Sequence, residues 1–144
     1  MFQGNDPNFK IVRHSDPDFK PTNREVDVFG IPIYAYAEVE DLKLLHAANI
    51  MAQYLDNDED GIVDNPLLIE ILIENHIVLF MWKKKSQVNL NIQDLGADAL
   101  HPEWHRNGQV GPFDAALEEI WHVISHKGYA HAYPMFLVNV QQLR

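Results

Sequence analysis

Two histidines stand four residues apart in the stretch Asp114 to Pro134, which reads DAALEEIWHVISHKGYAHAYP. A helix turns by about 100° per residue, so His122 and His126 would lie one above the other. Glu118 and Glu119 share their face, and Phe113, Leu117, Ile120, Trp121 and Ile124 form an apolar arc on the opposite side. Two imidazoles at this spacing can hold a divalent metal such as zinc. With one further protein ligand and an open position, the metal would acidify a bound water, and a carboxylate would take its proton. The third ligand is to be sought among His131, His105, His101 and Glu119. The base is to be sought in Glu118, Glu119 or Glu103. Five of the eight histidines fall between His101 and His131, so ligands are in local supply. The competing reading is a solvated polar face.

A second set of ligands is more closely specified. Residues 56–64 read DNDEDGIVD, with Asp56, Asp58 and Asp60 alternating, Gly61 next and Asp64 after it. Hard oxygen ligands from alternate positions can converge on a large cation. Glycine at the sixth place permits the sharp turn, and the carbonyl of Ile62 adds a neutral ligand. The expected calcium ligands are therefore Asp56, Asp58, Asp60, Ile62 and Asp64. The pattern resembles the calcium loops of EF-hand, dockerin and thrombospondin type 3 repeats. It departs from a full EF-hand at the twelfth position, which is Leu67 and not a bidentate glutamate. Glu70 could substitute only if the following helix began differently. The bland alternative is an acidic, solvated connection between two helices.

These ligands need elements to position them. Asp41 to Leu55 carries Leu44, Leu45, Ala48, Met51 and Leu55 at helical spacing. His46 on this helix reads as a half-buried packing residue. Asn65-Pro66 starts a second, strongly apolar helix over Leu67 to Asn75. Val28 to Val39 reads as one strand or a pair, with Pro32 limiting it to an edge or a strand start. His76 to Trp82 reads as a buried strand. Val88 to Leu95 alternates like a strand, and 96–111 reads as a long loop or short turns in which Pro102 could open a single helical turn. The final helix spans 113–127 and closes at Lys127-Gly128. Residues 1–27, punctuated by Asp6-Pro7, Asp16-Pro17 and Lys20-Pro21, read as an irregular arm. Residues 28–144 read as one α+β domain, a small mixed β-sheet packed with about three α-helices.

Composition narrows the functions. The formal net charge is −10, with no basic stripe, which argues against nucleic acid and anionic membranes as partners. Excess acid favours cations. The absence of cysteine excludes disulfides, thiolate zinc and thiol catalysis. No apolar run is long enough to span a bilayer. The first residues lack the blocks of a signal peptide, while the calcium loop leans towards an extracellular setting. Tyr129, Tyr133 and Phe136 could pack or engage a protein or peptide partner.

Strand, helix, apolar strand and His-x-x-x-His helix follow one another in an order that resembles zincin-like metallopeptidases. That resemblance implies a zinc-dependent hydrolase with the metal helix under a twisted sheet. The zincin base follows the first histidine, a place taken here by Val123. Gly128 and His131 fall one residue short of the metzincin spacing. Glu119-x-x-His122 is similar to half of a di-iron carboxylate motif whose second half is missing. LDNDEDGIVDN with EEIWHVISHKGYAHAYP also looks like a group of uncharacterised proteins. No strand–Gly-x-Ser-x-Gly turn supports a serine hydrolase. Two functions stay open: a calcium-binding protein with a zinc site and hydrolase or peptidase activity, or a non-enzymatic calcium-stabilised interaction module.

Overall fold

The computed structural model describes residues 9–87 and 94–132, apart from the side chain of His131. The protein is α+β, and its described strands form one five-stranded mixed sheet in the order β1-β2-β3-β4-β5. The strands are β1 (Val12–Arg13), β2 (Arg24–Val28), β3 (Ile31–Ala35), β4 (Leu79–Trp82) and β5 (Asp94–Gly96). β1, β2 and β3 pair antiparallel. β4 pairs parallel with β3, placing Ile33 beside Leu79, and parallel with β5, placing Met81 beside Leu95.

β2 and β3 are joined by Phe29 and Gly30, both at positive φ, 52° and 92°. A two-residue turn of this hand matches the natural twist of a hairpin. Pro32 falls at the strand start, before the Ile33–Ala35 stretch that pairs with β4, so its missing N–H costs no bond in that ladder. β3 lies between two neighbours, and Ile31, Ile33, Tyr34 and Ala35 are all buried.

A parallel neighbour requires a crossover, and residues 36–78 supply it. It contains α1 (Asp41–Leu55) and α2 (Pro66–Glu74) with the acidic loop between them. α1 packs against β2 and β3. Leu44, Ala47, Ala48, Met51 and Leu55 are 2% exposed or less, so small and large residues alternate on its sheet-facing side. α2 opens with Pro66 at the first turn, and the Asn65 side chain accepts the Leu68 amide at 3.2 Å. It ends with His76 at φ 52°, whose amide bonds the Ile73 carbonyl while the Ile77 amide reaches back to Leu72. That is a Schellman closure with histidine in the left-handed place that glycine usually fills. The strand therefore begins at Leu79, three residues later than the apolar run suggests.

α3 (Pro102–Arg106) is the short turn opened by Pro102. α4 (Ala116–His122) runs on into a π-helical stretch, Val123–Tyr129, and a last turn at Ala130–Ala132. Lys127-Gly128 does not end the helix. Gly128 is where it meets α2: a Cβ there would lie 2.3 Å from Leu68 Cδ1.

The region expected to be an irregular arm contributes to the sheet from Val12 onwards. Asp16 caps the short turn Pro17–Phe19 by accepting the Asp18 amide at 3.0 Å, and its other oxygen accepts the Tyr34 hydroxyl at 2.9 Å. His14 stacks on the same tyrosine at 4.1 Å. This polar and aromatic contact, with no hydrophobic periodicity to announce it, docks the segment on β3. The alternating stretch before Asp94 and the apolar run after Tyr133 lie outside the described residues. Among the described residues, no helix is long and apolar enough to cross a membrane.

Candidate functional site

The acidic loop begins where α1 stops. Asp56 at the helix C-terminus is only 5% exposed, and its carboxylate gathers the loop around itself. Oδ1 accepts the Asp60 amide at 3.2 Å and Oδ2 the Gly61 amide at 2.8 Å. Gly61 is at φ 85°, which turns the chain back. Asp64 closes the far side. Its Oδ2 accepts the Asn57 amide at 2.7 Å, and its own amide donates to the Leu55 carbonyl at 2.9 Å.

One carboxylate oxygen from each of Asp56, Asp58 and Asp64 lies within 4.8 Å of the other two. Such crowding of like charge shows in the acidity of Asp58. The Asp58 carboxyl is raised, first by its hydrogen bond to Asp56, then by burial and by the charges of Asp60 and Asp64. Burial pushes Asp56 up, but the Gly61 amide and the Asp58 bond outweigh it and hold the group low. A cation seated among these carboxylates would neutralise the charge that raises Asp58. Asp60 stands outside this triplet and turns Oδ1 to the Ile62 amide at 2.8 Å. Ile62 is exposed, as is Leu67 at the twelfth place. α2 begins at Pro66, and Glu70 does not join the group.

The histidines sort themselves differently from their spacing. His122 and His126 stack face to face, with ring centroids 5.4 Å apart and planes within 7°. Glu118 and Glu119 stand 3.9 and 3.8 Å from the two nitrogens of His122. No other described histidine or acid joins both rings with ligand atoms mutually within 4.8 Å. Glu119 also borders a surface cleft of about 480 Å³ with Trp82, Asp94, Asp98 and Ala115. The side chain of His131 lies outside the described residues, as do Tyr133 and Phe136. Tyr129 tilts against Trp121 at 6.0 Å and packs on the core.

His105 is drawn elsewhere. Its Nε2 lies 2.7 Å from Asp114 Oδ2, and His46 Nε2 lies 2.6 Å from the same oxygen. Asp114 is fully buried, while His46 is 4% exposed. Oδ1 of Asp114 accepts the amides of His101 and Ala116, at 3.1 and 3.2 Å. Burial would raise this carboxyl, yet the two imidazoles and the His101 amide outweigh it and hold it at about 2. His101 itself turns Nδ1 towards Glu103 Oε1 at 3.1 Å.

Three elements converge here: α1 brings His46, α3 brings His105, and the turn before α4 brings Asp114. Sequence spacing points to neither His46 nor Asp114, because 68 residues separate the pair. The available signal was a polar pair, His46 and Asn49, set among apolar residues on a face that α1 must bury. Among the described residues, the two groups that could hold a cation are thus Asp56, Asp58 and Asp64, and His46, His105 and Asp114. No protein family, curated protein or solved structure matches the chain.

Proposed function

We propose that the protein is a calcium-binding module whose ion links the end of α1 to the start of α2. The carrying observation is the triplet of Asp56, Asp58 and Asp64 oxygens within 4.8 Å, closed by a loop that already has Gly61 at φ 85°. Carboxylate oxygens in a flexible loop suit a large hard cation better than a transition metal. The ion would neutralise the crowded carboxylates of Asp56, Asp58 and Asp64. With no glutamate at the twelfth place, the remaining coordination falls to Asp60, the Ile62 carbonyl and water. The role is structural: the ion removes repulsion within the crossover.

Titration calorimetry with calcium tests this, using the intact chain and Asp58→Asn. One calcium per chain is expected, with affinity lowered on the order of tenfold or more by the substitution, since ligand charge sets affinity in such loops. Without calcium the variant should be at least as stable as the parent, because a crowded charge has gone. Equal calcium affinity in the two proteins would refute the assignment.

The peptidase expectation at His122 and His126 gains no third ligand among the described residues, and the side chain of His131 lies outside them.

A further inference from the structure

We propose that Nε2 of His46, Nε2 of His105 and Oδ2 of Asp114 form a site for one divalent transition ion of the zinc class. The site is separate from the acidic loop and from the His122–His126 pair. Two imidazole nitrogens and one carboxylate oxygen are a ligand set that zinc and its neighbours prefer and that calcium does not. Three protein ligands leave a position for water, and His105, the most exposed of the three with 30% of its side chain accessible, opens the site to solvent.

Tautomer accounting supports this occupant. His46 Nδ1 is buried without a hydrogen-bond partner, and so is Asn49 Oδ1. The two residues sit one turn apart on α1, the spacing at which helical side chains meet. Asn49 has its amide nitrogen fixed on the Leu45 carbonyl at 2.8 Å, so its oxygen is left as a buried acceptor. If His46 were neutral and donated its only proton from Nε2 to Asp114, Nδ1 would be a second acceptor, and both atoms would stay unsatisfied in the core. A metal on Nε2 puts the proton on Nδ1. The site then holds a buried donor in place of a second orphaned acceptor, with the acceptor Asn49 Oδ1 one turn away on the same helix.

The geometry requires a small opening. With bonds of about 2.0–2.2 Å, tetrahedral ligands stand about 3.3 Å apart. The nitrogens now lie 2.6 and 2.7 Å from the oxygen. α3 is a short surface helix, so His105 can withdraw by several tenths of an ångström, and the buried His46 and Asp114 side chains must part by a similar amount. The short contacts then describe the proton-filled form of the same site.

The test uses the full chain with calcium in excess, so that the acidic loop is filled, and zinc alone as titrant against a chromogenic chelator. One zinc per chain is expected. His105→Ala should weaken it on the order of 100-fold or more, while His122→Ala and His126→Ala should leave it within a few-fold. His105 is accessible, so its loss should spare the fold, which circular dichroism checks. In the unaltered protein, zinc should also remove the Nε2 protons of His46 and His105 and shift those nitrogen resonances. Three results overturn the site: no zinc uptake, equal affinity after His105→Ala, or unmoved resonances of these two rings while zinc binds.

Discussion

Asp114 keeps its charge although its side chain has no exposed surface. It does so because four donors surround it: two backbone amides on Oδ1 and two imidazoles on Oδ2. Its pKa falls from 3.8 to about 2. For an acid whose folded value is depressed, the linked stability is present above 3.8 and disappears as pH falls through about 2. At about 1.4 kcal/mol per unit, the ionised form contributes roughly 2–3 kcal/mol at neutral pH. Asp114→Asn keeps the acceptor for His101 and Ala116 but loses the charge between the rings. In urea unfolding with a chelator present, this variant should lose roughly 2–3 kcal/mol at pH 7. The gap to the parent should narrow as pH drops below 4. A gap independent of pH would mean that shape, not charge, is what the residue supplies. The contrast with the acidic loop marks how far single residues were legible. Asp56, Asp58 and Asp64 are neighbours in the chain, so their alternation announces their meeting in space. His46 and Asp114 meet only because α1 packs on α4, and no spacing along the chain records that.

At the scale of elements, apolar period and turn chemistry placed α1, α2 and β4 to within a few residues. What they missed were ends and irregularities decided by tertiary contact. The left-handed His76 moved the start of β4, and packing against α2 carried the last helix through Lys127-Gly128. Two glycines separate backbone need from space. A Cβ at Gly61 would meet no atom within 4 Å, but the residue stands at φ 85°. Gly128 needs no unusual φ, yet its Cβ would strike Leu68, which is 1% exposed and has nowhere to go. Gly61→Ala should cost about 1 kcal/mol from the left-handed conformation. Gly128→Ala should cost roughly 1–3 kcal/mol from overpacking. Urea midpoints with and without calcium distinguish the causes: only Gly61→Ala should also weaken calcium binding. If Gly128→Ala unfolds at the parent's midpoint, the close contact of the π-helical stretch with α2 is misplaced.

For the molecule as a whole, the position of the acidic loop in the chain matters more than its ligands. It sits inside the crossover between the parallel strands β3 and β4, and its two flanking helices both pack on β3. A chain with net charge −10 places five carboxylates at this one bend, and Asp56, Asp58 and Asp64 bring oxygens within 4.8 Å of one another. Repulsion there opposes the docking of α1 and α2 together, so an ion that removes it should stabilise the sheet and not the loop alone. The three tryptophans report on this without lying in the crossover: Trp82 ends β4, Trp104 is in α3 and Trp121 in α4. Calcium at a hundred times its dissociation constant adds about 2.7 kcal/mol to any unit that unfolds with the site. In a domain of this size that is a rise of roughly 5–10 °C in Tm. Tryptophan fluorescence and far-ultraviolet circular dichroism should therefore shift together on adding calcium, and shift back with chelator. A calcium-dependent transition seen in the helical signal alone, with the tryptophan transition unmoved, would make the loop a local clasp, uncoupled from the sheet it interrupts.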